Sequence, residues 1–377
     1  MRAVLIFLLM SVPALAQPPV APSPPPPRVV PSSAQPRVVN VYNWSDYIDP
    51  YALQAFEKET GIKVRYDVYD SLETLEGKLL AGRSGYDVVV PTSEPTFSRL
   101  VRAGALLPLD RGKLPGVAGL DAALMKQVES SDPGNRHGAI YLWGTIGLGV
   151  NEARVRALAP DAPMDSWDLL LKPDWARRVA RCGITMMDSA IDVIPSVLKY
   201  LGRSPDSTDA ADLGEVAKVL GAIRPYIRNF SSGGAVEAMA AGETCLALAY
   251  SGDVIQAGAR AEEAGRGLRL RYVAPKEGAQ LWFDMLAIPA DAPHPAEAHA
   301  FIDFVLRPGV MAGITNQVRY PNAVPASAAG VRPEVAADPA VSPPADIRAR
   351  FFTISAVPPE VSRARARVWA RFKSGRG

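Results

Sequence analysis

The sequence predicts an α/β protein in two lobes, each a sheet flanked by helices. Three observations carry that expectation. Strand-like and helix-like stretches alternate from the first folded residues onward. The alternation continues in register with turn residues over some three hundred positions. The chain beyond its amino-terminal segment is too long for one hydrophobic core, which stops growing near about 250–300 residues.

The elements follow in order. Val38-Val39-Asn40-Val41-Tyr42 reads as a buried strand, and a helix follows from about Pro50 to Thr60, ended by Gly61 at a position suited to a C-cap. Residues Ile62 to Val68 alternate as a strand, Leu72 to Leu80 has helical spacing closed by Gly82, and Tyr86-Asp87-Val88-Val89-Val90 is a further strand. Strand-helix-strand order implies parallel pairing with helices covering both faces. Further helical stretches lie near Ser98 to Ala103, Ile191 to Leu201, Asp212 to Ile223, Val236 to Ala241 and Pro295 to Leu306. Strand-like runs recur at Ala139 to Leu142, Ile146 to Val150, Cys245 to Tyr250, Leu268 to Val273 and Met285 to Ile288. Ligands of open parallel sheets sit beyond the carboxyl ends of strands, so Trp44-Ser45-Asp46-Tyr47, just after the first strand, falls where a ligand is expected.

Before the folded part, Met1-Arg2, an apolar run from Ala3 to about Met10, and Val12-Pro13-Ala14-Leu15-Ala16 read as a signal peptide cleaved after Ala16. The expected location is the periplasm. No cysteine follows the cleavage site to accept a lipid, so a free protein is expected. Residues 17–36, rich in proline, are expected to form an extended linker. The composition, 48% hydrophobic and 21% charged, is that of a folded protein. The formal charge of +2 falls to about +1 without Arg2, a balance that suggests no nucleic acid and no anionic membrane as partner. Cys182 and Cys245, in a chain bound for an oxidising compartment, are expected to form one disulfide.

Several short motifs, in order along nearly the whole folded chain, resemble the periplasmic polyamine-binding proteins of ABC importers, the putrescine binders above all. They begin with Val41-Tyr42-Asn43-Trp44-Ser45-Asp46-Tyr47-Ile48 and Phe56-Glu57-Lys58-Glu59-Thr60-Gly61. Asp165-Ser166-Trp167-Asp168-Leu169, Gly252-Asp253-Val254, Pro275-Lys276-Glu277-Gly278-Ala279 and Phe283-Asp284 follow. Pro343-Pro344-Ala345-Asp346 and Lys373-Ser374-Gly375 close the series. The resemblance implies the two-lobed periplasmic binding protein fold (type II), with the ligand cleft between lobes. It places residues 37–143 and 268–314 in lobe 1 and residues 144–267 and 315–377 in lobe 2. It further implies capture of a putrescine- or spermidine-type polyamine, an inner-membrane ABC permease as partner, no cofactor, no metal and a monomeric protein.

A linear diamine is a dication with an apolar stem and calls for carboxylates at its ends and aromatic faces along its methylenes. The resemblance gives Trp44, Ser45, Asp46 and Tyr47 to a first binding segment, Asp253 and Asp284 to ammonium-holding carboxylates, and Tyr320 to an aromatic wall. At four positions the chain departs from the pattern. Asp192 stands where a glutamate is usual, Tyr250 and Trp282 where tryptophan and phenylalanine form walls, and Thr92 where a serine is usual. Glu94 adds a carboxylate where the pattern suggests a smaller neutral residue.

Rival readings are a binder of another organic cation or of a metal ion, and a secreted hydrolase using paired acids. The sequence has no Gly-x-Ser-x-Gly elbow and no His-Glu-x-x-His. Its three histidines, His137, His294 and His299, are expected at the surface.

Overall fold

The computed structural model describes residues 37–231 and 234–375. The expected signal peptide and proline-rich linker lie outside the described residues.

A nine-stranded sheet runs through the protein. Its strands are β1 (Val38–Trp44), β2 (Lys63–Tyr69), β3 (Val88–Val89), β4 (Gly138–Asn151), β5 (Ile184–Met186), β6 (Asn229–Phe230), β7 (Leu246–Tyr250), β8 (Leu270–Val273) and β9 (Gln280–Ala287). The order is β2-β1-β3-β9-β4-β7-β5-β6, with β8 also paired to β4. The α/β expectation stands, but the sheet is mixed rather than parallel. β1 runs parallel to β2 and β3, and β5 parallel to β6 and β7. Between these two groups, β4 and β9 pair antiparallel with each other and with their neighbours. They are the long segments by which the chain passes from one group to the other, so their direction follows from the crossing rather than from a helical crossover.

The helix Pro50–Thr60 shows why these residues fold as they do. Asp49 accepts from the Tyr51 N–H at 2.9 Å, Pro50 occupies the first turn, and Gly61 ends the helix in the left-handed region at φ 68°. Ala52 and Phe56, four apart, are buried. The Phe56 ring meets Phe301 and Phe304 of the Pro295–Val305 helix edge-on, at 5.2 and 5.4 Å. The strands expected at Ala139–Leu142 and Ile146–Val150 are one strand, β4, whose pairing with β9 shifts register between Ile140 and Trp143.

The second group is pinned by the expected disulfide. Cys182 and Cys245, with Cα atoms 5.6 Å apart, lie just before the neighbouring strands β5 and β7. Closing a loop of 63 residues stabilises the fold by about 4 kcal/mol in the chain-entropy model.

Strand β8 pairs with Leu148–Asn151 at the end of β4, on the edge opposite β7. The helix Pro308–Val318 packs on the Pro50–Thr60 and Pro295–Val305 helices. The carboxyl-terminal helix Pro359–Ser374 packs on helices Ala190–Tyr200 and Ala210–Ile223. No helix of the described residues is long and apolar enough to cross a membrane.

Of the histidines, His299 is buried rather than exposed. Its Nδ1 donates to the Pro295 carbonyl at 2.6 Å, and its Nε2 accepts from the Asp110 N–H at 3.0 Å. His137 and His294 lie beside the buried carboxylates of Asp132 and Asp87, at 2.9 and 3.0 Å. All three serve local packing, which a sequence count of histidines does not reveal.

Candidate functional site

A cavity of about 1430 Å³, open mouth included, lies where β1 and β7 end and β9 begins, against the Ala190–Tyr200 and Ser251–Glu263 helices. Ten of the eleven residues that the sequence singles out line it: Trp44, Ser45, Tyr47, Thr92, Asp192, Tyr250, Asp253, Trp282, Asp284 and Tyr320. They come from distant parts of the chain, and the mixed sheet brings them together. β1 delivers the Trp44–Tyr47 segment, β7 ends on Tyr250, and β9 carries Trp282 and Asp284 on one face through the two-residue period of a strand.

The aromatic residues form a continuous wall. Tyr47 meets Tyr320 edge-on at 5.4 Å, Tyr320 meets Trp282 at 5.3 Å, and Trp282 meets Tyr250 at 5.6 Å. Trp44 leans on Tyr69 at 4.5 Å, and its indole N–H donates to the Val90 carbonyl at 3.0 Å. Gly252 fits the sequence between Ser251 and Asp253 for a steric reason: a Cβ there would overlap the Tyr320 ring.

Each of three carboxylates is oriented by a hydroxyl. Thr92 donates to Asp284 at 2.6 Å, Tyr320 to Asp253 at 2.7 Å and Tyr250 to Asp192 at 2.9 Å. Burial pushes the Asp284 carboxyl up to about 7, opposed by the bond from Thr92. Burial likewise raises Asp253 to about 6, opposed by Tyr320, and raises Asp192, opposed by bonds that include Tyr250. No lysine, arginine or histidine is among the described residues lining the cavity. Three buried acids therefore face a cleft whose described lining offers no basic side chain, with only the charge of Arg260, outside the lining, acting on Asp253, an arrangement that favours a cationic guest. Among the described residues, no group of three or more His, Cys, Asp or Glu side chains is arranged to hold a metal ion.

Asp46 is the exception among the expected site residues. It sits at φ 53° in the turn after β1 and points away from the cavity, where its carboxylate pairs with Arg260 at 2.9 Å. Arg260 also holds Glu237 at 2.6 Å. The Asp46–Arg260 pair joins the β1 loop to the Ser251–Glu263 helix of the other strand group. The short polar side chain of aspartate tolerates the left-handed turn, and that turn carries it outward.

Sequence reasoning missed Gln280 and Tyr69. Gln280 lines the cavity two residues before Trp282, on the same strand face, and its amide donates to Asp192 at 3.3 Å. The period of β9 pointed to it once Trp282 and Asp284 were chosen. Tyr69 ends β2 and gives its hydroxyl to the Val90 carbonyl at 2.6 Å. Within the wall, Trp282 Nε1 and Gln280 Oε1 have no partner among the described residues.

Two strand groups joined by crossing strands, with a cavity framed by residues from both, define a solute-binding protein of the two-lobed α/β type. The chain belongs to the bacterial extracellular solute-binding protein family, whose model matches residues 52–343. It is 45% identical over 341 residues to the putrescine-binding periplasmic protein SpuD of Pseudomonas aeruginosa, covering 90% of this chain and 93% of that one. It is equally 45% identical over 342 residues to the putrescine-binding periplasmic protein PotF of Escherichia coli, covering 90% and 92%. Among solved structures it is similar to a putative spermidine/putrescine ABC transporter protein from Listeria monocytogenes. That match has a TM-score of 0.79 at 30% identity and covers 89% of this chain and 99% of the other.

Proposed function

We propose that this protein is the periplasmic binding subunit of an ABC importer, that it captures an aliphatic polyamine, and that it performs no catalysis. The observation that carries the reading is the cavity itself, three oriented carboxylates around an aromatic wall with no basic side chain among the described lining residues. Ammonium groups supply the missing positive charge, and the methylenes between them pack on the faces of Trp282, Tyr250 and Tyr47. The relatives named as putrescine-binding periplasmic proteins support the same reading.

In this reading Trp44, Ser45, Tyr47 and Thr92 contact the ligand from one lobe, and Asp192, Tyr250 and Asp253 from the other. Trp282, Asp284 and Tyr320 lie at the crossing. The lobes meet along β4 and β9, with β8 on the second lobe's side and the Pro308–Val318 helix on the first's. Ligand bound between them favours the closed arrangement, because contacts to both sides exist only there. Asp46 acts as a clasp through Arg260 rather than as a ligand contact. The closed protein then presents itself to an inner-membrane permease as a monomer, after removal of the leader at Ala16.

Thermal-shift screening with diamines, divalent and ferric ions, and sugars tests the proposal. A shift with diamines alone is the expected outcome, and a shift with a metal ion or a sugar in place of the amine overturns it.

A further inference from the structure

Beyond the three carboxylates just described, the cavity lining includes Asp70, Glu73, Glu94 and Asp188. These acids differ in their surroundings. Asp188 is neutralised by Lys373, whose ammonium reaches both of its oxygens at 2.7 Å. Asp70 and Glu73 are exposed at the mouth, where water screens them. Glu94 is half-buried, and no ion pair to it exists among the described residues.

Glu94 is nevertheless held in one direction. Ser98 donates to its Oε2 at 2.8 Å and Ser131 to its Oε1 at 2.9 Å. Neutral hydroxyls fix the carboxylate without cancelling its charge, and each oxygen keeps a lone pair for another donor. The same construction, an acid oriented by a hydroxyl with no ion pair among the described residues, marks Asp284 with Thr92 and Asp253 with Tyr320.

The position of Glu94 gives this fourth acid a meaning. Thr92, which holds Asp284, lies two residues earlier, and two residues of chain span at most about 7 Å. A three-carbon spacer sets neighbouring nitrogens about 5 Å apart by the same bond lengths. One more aminoalkyl unit, continuing from an ammonium at Asp284, therefore reaches the Glu94 end of the cavity. A four-carbon diamine leaves that end to water and its carboxylate unpaired.

We infer that the cavity is built for a linear polyamine with at least three charges, and that Glu94 determines this by binding the additional ammonium group. The inference rests on the proposed polyamine-binding function and names the length of its ligand.

Calorimetric titration with putrescine and with spermidine, on the full mature chain and its Glu94→Gln variant, tests it. The expected result is at least tenfold tighter binding of spermidine by the unaltered protein. In Glu94→Gln, spermidine affinity falls at least tenfold while putrescine affinity stays within threefold. Glu94→Ser repeats the test with a smaller side chain should the glutamine variant not fold. An unchanged ratio of the two affinities, or equal loss for both amines, overturns the role of Glu94. Failure of both amines to bind the unaltered protein overturns the proposed function instead.

Discussion

Replacing Asp284 by asparagine removes one negative charge from the cavity while nearly preserving its volume, and the structure sets the size of the effect. Asp284 is only 3% exposed, and its oriented oxygen is fixed by the Thr92 hydroxyl at 2.6 Å. Thr92 can still donate to the asparagine carbonyl, so the protein side of the site stays satisfied. What is lost is the charge that an ammonium group would meet in a poorly hydrated place. Removing one member of a buried charged pair costs about 2–5 kcal/mol, or roughly 30-fold to several-thousand-fold in affinity. Isothermal titration with a diamine near pH 7.5 reads that loss, and circular dichroism with thermal melting reads the fold. Burial penalises the ionised carboxylate in the empty site, so the ligand-free variant should melt no lower than the parent. An affinity within threefold of the parent refutes the assignment of Asp284, and a large fall in melting temperature shows that its role is structural.

Protonation gives a second test. Burial raises Asp284 to about 7 and Asp253 to about 6, so between about pH 4 and 7 the folded chain holds protons that the unfolded chain has released. These two groups therefore destabilise the empty fold as pH rises through that window. A cation reverses the penalty, so the ligand-induced rise in melting temperature should be greatest above pH 7 and shrink towards pH 5. Asp46→Ala should leave the cavity intact and open the Asp46–Arg260 pair. Because Asp46 is exposed, its cost should be at most about 1 kcal/mol, read by stopped-flow as ligand release faster by up to several-fold. Gly252→Ala should push the Tyr320 ring out of the wall and weaken diamine binding by at least tenfold, with native-like circular dichroism. Replacing Cys182 and Cys245 together by serine should lower stability to chemical denaturation by about 4 kcal/mol.

Much of this was legible in the residues, and what escaped had physical causes. Local signals placed the Pro50–Thr60 helix to the residue, because Asp49, Pro50 and Gly61 mark its ends by capping chemistry. The same reading split β4 in two, since a continuous apolar run with glycines carries no periodicity to tell one long strand from two. Parallel pairing was inferred from the early strand-helix-strand order, whereas β4 and β9 take their direction from the chain's passage between strand groups. At the site, the acids and aromatics were named by family resemblance, and that ten of them line one cavity is a product of the fold. The outward turn of Asp46 was beyond it, because a left-handed residue followed by a partner 214 positions away leaves no local trace. Glu94 was visible as an extra acid, but of its two serine partners only Ser98 is local, and Ser131, 37 positions away, is joined to it by the fold.

The central claim is that buried carboxylates select the guest by charge, with the aromatic wall accommodating its stem. Calorimetry of the mature protein at pH 6.5 in buffers of different ionisation enthalpy, with putrescine and with uncharged 1,4-butanediol, tests it most directly. The amine should bind with release of protons to the buffer as Asp284 and Asp253 ionise, and the diol should give no measurable heat. Comparable affinity for the diol, or amine binding without proton release, contradicts it.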